Sequence, residues 1–386
     1  MLSFQNTQIA FKHKSDAELS RAKYLFTLMG VPFLVKKGPM FVNTAFKWGL
    51  PVKSILKATL FRQFCGGETL QESIKTSQKL NKYKVKTILD YSVEGEHNEK
   101  AFDACRDEII KTLEHSSHHR EVIFSACKVS GLGNTALLTK IQSGETINYN
   151  EKDEESRIIK RMEAIAFAAV RNRTPVFFDA EESWFQNWID QQVERLMERH
   201  NTETPWIYTT LQLYRHDRYQ YLQDLHQRAV DKQYIVGVKL VRGAYLEKET
   251  RRAEEQGYQN PIQPNKAATD HDFDAACTYC IENIQQIAMC AGTHNEESSL
   301  RITQQMEAKQ ISVHHPHICF AQLLGMSDHI SYNLAAAGYT TAKYLPFGPV
   351  ASVLPYLFRR AEENSSVAGQ TGRELELIKK ELKRRG

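Results

Sequence analysis

An alternation restricts the fold of this 386-residue sequence more than any other feature. After residue 80, short β-rich runs at 87–92, 122–129, 175–178, 206–213, 235–241, 287–291, 317–323 and 341–345 are separated by longer runs of helical period. The clearest helix covers 182–199, where Trp184, Phe185, Trp188, Ile189, Val193, Leu196 and Met197 form one apolar stripe. Strand then helix, eight times, predicts an α/β fold of the (β/α)8 barrel type. The alternative is an open doubly wound sheet, which more often uses about five to seven strands. The first eighty residues read differently. Ser15-Asp16-Ala17-Glu18 is a capping box that opens a helix carrying Leu19, Ala22, Leu25, Phe26 and Met29. A second apolar, basic run over 55–64 stops at Gly66-Gly67. The expected organisation is an N-terminal helical arm (1–80), a barrel (81–366) and a basic helical tail (367–386).

Composition narrows the function classes. Fifty basic and 46 acidic side chains leave a charge of +4, too little for a dedicated nucleic-acid binder. The 41% hydrophobic content excludes a disordered chain. The longest clean apolar run, 164–170, is far short of the roughly 20 residues that span a bilayer, and residues 1–16 do not form a signal peptide. Seven cysteines in so long a chain read as reduced thiols, and the Cys277/Cys280 pair lies in a helical stretch without a second pair to complete a zinc site. The expected location is therefore cytoplasmic. Lys36, Lys37, Lys47, Lys53 and Lys57 make the arm a candidate for peripheral contact with the inner membrane, against the plainer reading of an arm packed on the body.

Barrels place chemistry at the C-terminal ends of their strands. Those ends carry Asp90 and Glu94, Lys128, Asp179 with Glu181 and Glu182, Gln212, Lys239 with Arg242-Gly243-Ala244-Tyr245, Thr293-His294-Asn295, Leu323 with Met326, and Tyr344. Beyond the last strand, Tyr356, Arg359, Arg360 and Glu363 share one helix face. Two adjacent guanidiniums can grip a carboxylate through parallel N–H bonds, although RR-x-x-E on a helix is usually a solvated ion-pair face. Lys128 ends an apolar strand and must either snorkel out or meet an anion. Ser130-Gly131-Leu132-Gly133-Asn134-Thr135-Ala136 matches GxGxxA, but a charged stretch follows where a dinucleotide fold needs a second strand. In Val241-Arg242-Gly243-Ala244-Tyr245, small residues at a strand end permit close approach of a flat ligand or a phosphate.

Several separated motifs resemble those of the proline dehydrogenases, flavin enzymes of proline catabolism, over about residues 11–366. They are Leu89-Asp90-Tyr91-Ser92-Val93-Glu94-Gly95, Phe178-Asp179-Ala180-Glu181-Glu182, Lys239-Leu240-Val241-Arg242-Gly243-Ala244-Tyr245, Gly292-Thr293-His294-Asn295, Gln322-Leu323-Leu324-Gly325-Met326, Tyr344-Leu345-Pro346-Phe347-Gly348 and Tyr356-Leu357-Phe358-Arg359-Arg360. Their order and spacing look closer to the eukaryotic type than to the bifunctional bacterial enzymes. The resemblance implies a distorted (β/α)8 barrel with its final helix over the mouth, binding FAD. It implies that Arg359, Arg360 and Lys128 hold a substrate carboxylate, with Glu363 and Asp179 orienting them, and that Tyr344, Tyr356 and Leu323 enclose an apolar ring. Gln212, Lys239, Arg242, Gly243, Ala244, Thr293 and His294 would contact the flavin, with Asp179 and Lys239 nearest the chemistry. Lys239 stands where many bacterial members have arginine, and Leu246 where some have tryptophan. The implied reaction is oxidation of L-proline to 1-pyrroline-5-carboxylate, with electrons passing to a quinone. A hydroxyproline dehydrogenase is the near alternative, disfavoured because Tyr344 would crowd a ring hydroxyl. A glycoside hydrolase using Asp179 and Glu181 leaves the paired arginines unexplained. A scaffold binding acidic partners through 374–385 competes with a plain solvated helix.

Overall fold

The computed structural model describes residues 2–30, 52–92, 98–366 and 370–386, with backbone alone at 52, 361–366, 370 and 371. Lys36, Lys37, Lys47 and Glu94 lie outside the described residues, as does the side chain of Glu363. Eight parallel strands follow one another in chain order around a closed barrel. They are β1 (Lys86–Tyr91), β2 (Val122–Cys127), β3 (Val176–Phe178), β4 (Ile207–Gln212), β5 (Val236–Val241), β6 (Ile287–Gly292), β7 (Ile318–Leu323) and β8 (Thr341–Phe347). The expected (β/α)8 architecture is thus present. Every residue of β4 and β8 is buried, as parallel strands covered on both faces require.

The chain forms two compact units. One comprises Gly95–Ala321. Its helices include α1 (Glu99–Ser116), α2 (Thr135–Gln142), α3 (Tyr149–Arg171), α4 (Ser183–His200), α5 (Arg218–Lys232), α6 (Leu246–Gln256), α7 (Lys266–Glu282) and α8 (Glu296–Ala308). An aromatic group ties neighbouring strands: Phe124 stacks on Phe177 with centroids 4.3 Å apart, and Tyr208 meets both edge-on. Residues 128 and 129, expected to extend β2, lie beyond it. Val129 begins a single 3-10 turn, Val129–Gly131, because Leu132 N–H bonds back to the Val129 carbonyl at 2.8 Å.

The other unit comprises Met1–Glu94 and Gln322–Gly386. Its capped helix αN (Asp16–Met29) has the reciprocal Ser15–Glu18 capping box anticipated from the sequence. It buries Leu19, Ala22, Phe26 and Met29 in one core with Val353, Leu354, Tyr356 and Leu357 of α10 (Val350–Ser366) and Leu377 and Ile378 of α11 (Gln370–Arg385). Between β7 and β8 runs α9 (Asp328–Ala336). β8 outlasts its expected end at Leu345 and continues through Pro346, opposite Asp90. Proline removes only a donor, and the Pro346 carbonyl still accepts the Gly66 N–H at 2.8 Å. The segment Gly66-Gly67 lies so close to this strand that a Cβ on Gly66 would come 1.9 Å from the Leu345 side chain.

Candidate active site

In the Gly95–Ala321 unit, strand ends bring several of the expected residues together. Asp179 follows β3 immediately and accepts a bond from the Lys239 ammonium, and its Oδ1 also accepts from Thr210 Oγ1 at 3.3 Å. Thr210 and Lys239 are register partners on β4 and β5, so their side chains leave the same face. Both charges are buried. The ammonium also lies 5.1 Å from the Phe177 ring centroid. A lysine buried in this way is retained only with such partners.

The loop after β5 is held by its neighbours. Arg242 Nε donates to Asp270 Oδ1 at 2.5 Å, Nη1 to Thr293 Oγ1 at 2.7 Å and Nη2 to Ser298 Oγ at 3.0 Å, with the guanidinium 4.4 Å over the Phe273 ring. Gly243 has φ +141°, and a Cβ there would meet the Tyr214 ring at 2.5 Å, so only glycine fits. Gln212 Oε1 accepts the Ala244 N–H at 3.1 Å. Gln212, Lys239, Arg242, Gly243, Ala244, Thr293 and His294 therefore all lie at the ends of the consecutive strands β4 to β6 or just beyond. Cationic groups beside an exposed Gly-Ala backbone are a donor set suited to an anionic dinucleotide such as FAD.

Lys128 is half-buried at the end of β2, before the 3-10 turn. Glu181 is buried, and its Oε1 accepts the Ser130 N–H at 2.9 Å. Burial first, then the Glu182 carboxylate, push the Glu181 pKa up to about 7, against the opposing pull of Ser130 and Lys128.

In the other unit, α10 begins three residues after β8 and carries the paired arginines. Arg360 is buried with its guanidinium 5.1 Å over the Tyr356 ring, while Arg359 is half-buried. A solvated ion-pair face does not describe Arg360. Tyr344 and Tyr356 are both buried, and Leu324 N–H donates to the Tyr344 carbonyl at 2.9 Å, tying the end of β7 to β8 beside Leu323.

The sequence reading missed a buried charge cluster behind these residues. Lys343, the neighbour of Tyr344 on β8, is 1% exposed at its side chain and pairs with Asp328 Oδ1 at 2.9 Å. Lys14 Nζ lies 2.7 Å from Asp328 Oδ2, and His13 3.4 Å. Burial opposes ionisation, yet Lys14 and Lys343 hold the Asp328 carboxyl well below the usual range. Glu374 of α11 accepts the Ser327 N–H at 3.0 Å, where Ser327 adopts φ +50°. Gln63 Nε2 donates to the Gly325 carbonyl at 2.8 Å. The arm and the C-terminal helix thus brace the β7–α9 turn that follows Leu323. The available signal was a lysine inside an apolar strand, the same signal that singled out Lys128.

A family model described as "Proline dehydrogenase" matches residues 73–373. The chain is 29% identical to "Proline dehydrogenase 1, mitochondrial" of Dictyostelium discoideum, over 98% of its own length and 74% of that relative. It is also 29% identical to the "Hydroxyproline dehydrogenase" of Xenopus laevis, over 100% of its own length and 90% of the relative. Among solved structures, proline utilization A (PutA) from Bdellovibrio bacteriovorus, inactivated by N-propargylglycine, superposes with a TM-score of 0.78 at 20% identity. That alignment covers 98% of this chain and 44% of the PutA chain, so this chain spans less than half of that structure.

Proposed function

The chain belongs to the proline dehydrogenase family, and from that premise we propose that it oxidises L-proline to 1-pyrroline-5-carboxylate, using FAD and passing electrons to a quinone. The observation that carries this reading is the adjacent pair Arg359 and Arg360 on the helix after β8, with Arg360 buried against Tyr356. A buried guanidinium beside a half-buried one answers to a carboxylate ligand. In this reading Arg359, Arg360 and Lys128 bind the proline carboxylate, Glu363 and Asp179 orient the cations, and Tyr344, Tyr356 and Leu323 enclose the ring. Gln212, Lys239, Arg242, Gly243, Ala244, Thr293 and His294 hold the cofactor.

Proline has no leaving group and no acidic C–H at the ring carbon next to nitrogen, so oxidation there removes a hydride. FAD, when bound, supplies the hydride acceptor at its N5. The side chains fix the ring by its carboxylate, and that orientation lowers the barrier by avoiding entropy loss during reaction. Tyrosines around the ring exclude water. Nearby cations lower the pKa of the substrate amine, which must be neutral to expel the hydride.

Purified protein should be yellow, and anaerobic L-proline should bleach its absorbance; a colourless protein, or a flavin that proline leaves oxidised, would refute the reading. Hydroxyproline is the second candidate substrate, favoured by the full-length match to a relative of that name. The bulk of Tyr344 argues against it. Peripheral membrane contact through the arm is consistent with Tyr24, Leu28 and Ile55 being exposed. Among the described residues, no helix is long and apolar enough to cross a membrane.

A further inference from the structure

The proposed roles leave Glu181 without one. It is 3% exposed, and each of its polar groups is engaged across a different element. The Glu181 carboxylate accepts the Ser130 N–H at 2.9 Å. Ser130 sits inside the 3-10 turn that begins directly after Lys128. A single turn leaves its first N–H groups without backbone acceptors, and the carboxylate supplies one. Arg161 secures the far side of the same turn through the Leu132 carbonyl at 2.9 Å. The Glu181 N–H donates to Gln186 Oε1 at 2.7 Å. Its carbonyl accepts from Gln212 Nε2 at 2.8 Å, and the same Gln212 amide holds Ala244.

We propose that Glu181 is a positioning residue: it sets Lys128 for the substrate carboxylate and ties that turn, through Gln212, to the loop that holds the cofactor. The assignment rests on the proline-oxidising reading above. The charged groups facing it are Lys128 from the end of β2 and the neighbouring Glu182, whose own carboxylate takes Lys248 Nζ of α6 at 2.5 Å. With a pKa near 7, Glu181 ionises across the neutral range. Ionised, it binds the Ser130 N–H with full charge and draws in the Lys128 ammonium; protonated, it holds both more weakly. Proline therefore binds more tightly above pH 7 than below it.

The test uses the holoenzyme, mixed anaerobically with L-proline while flavin absorbance is followed, which separates the limiting reduction rate from the apparent Kd. In the wild type, Kd should fall about tenfold between about pH 6 and about pH 8, the worth of one charge-assisted contact. E181Q should stay yellow and keep the limiting rate, while its Kd stays near the wild-type acid value throughout. Hydrogen exchange of the peptide 129–133, corrected for intrinsic rate, should slow from acid to neutral pH in the wild type only. A variant that keeps the wild-type pH profile would assign the ionisation to another group and overturn the proposal. Should E181Q fail to fold, a flat wild-type Kd profile overturns it equally. A wild-type flavin that bleaches with a flat profile defeats this assignment alone; one that does not bleach defeats the reading beneath it too.

Discussion

Asp328→Asn is the most discriminating single perturbation of the buried charge cluster, because it keeps the side chain's shape and deletes its charge. The carboxylate faces Lys343 at 2.9 Å and Lys14 at 2.7 Å. Each pair is worth about 6 kcal/mol of gross Coulomb energy at an effective dielectric of about 20, most of it cancelled by the desolvation of both partners. The decisive quantity is what remains stranded. Lys14 is 15% exposed at its side chain and can turn toward water, whereas Lys343 is 1% exposed and cannot. A buried cation without its partner costs about 3–5 kcal/mol. For 386 residues the unfolding entropy is about 0.8 kcal/mol per kelvin, so Tm should fall by about 4–6 °C. Thermal unfolding followed by circular dichroism reads this directly. Adding Lys343→Met should recover most of the loss, since it removes the stranded charge and leaves an apolar side chain of similar length. A shift below about 1 °C in the single variant, or no recovery in the double, would refute the argument.

The other expectations concern the site itself. Arg359→Met and Arg360→Met should each raise the KM for proline by about 10–100-fold while flavin stays bound, the worth of a charge-assisted carboxylate contact; an unchanged KM would remove the clamp. Tyr344→Ser should raise the kcat/KM for hydroxyproline relative to proline, and a constant ratio would count against the packing argument. Gly243→Ala forces a Cβ into the Tyr214 ring at φ +141°, so the protein should purify with depleted flavin and lose about 1–3 kcal/mol of stability; full flavin occupancy would contradict this. Stability should also report Glu181. Its folded pKa of about 7 exceeds the ordinary 4.5, so the native state holds the extra proton between those values and stability drops as pH rises through that window. E181Q lacks this loss, so in urea titrations it should gain on the wild type by up to about 3 kcal/mol above pH 7 and match it near pH 4.5. An equal difference at both pH values would show that Glu181 is not carrying the proton.

The barrel was legible because strand and helix periods differ, and eight repeats leave little room for another topology. The Ser15–Glu18 box was legible because its chemistry is local. Arg360 could be placed on a face with Tyr356 from spacing alone, but spacing does not say which face of α10 is buried, and Tyr356 itself packs in a core with αN and α11, which are distant in sequence. Lys343 was overlooked for the same reason: it looks like any polar interruption of a strand until Asp328 and Lys14 arrive from elsewhere. Glu181 was visible as a carboxylate after β3, but its bond to Ser130 joins residues 51 apart, and no local pattern encodes such a pairing.

The unit that contains both chain ends has a consequence for synthesis. Its Gly66 N–H needs the Pro346 carbonyl, and β1 needs β8 as a neighbour. A ribosome adding about 5–20 residues per second must run for tens of seconds between making the first partner and making the second. All of 95–321 has been made while the chain is still growing, but the split unit must wait for its second part. During that delay β1 lacks its β8 neighbour and αN lacks the late helices that cover its apolar stripe, the kinds of surface through which growing chains associate wrongly.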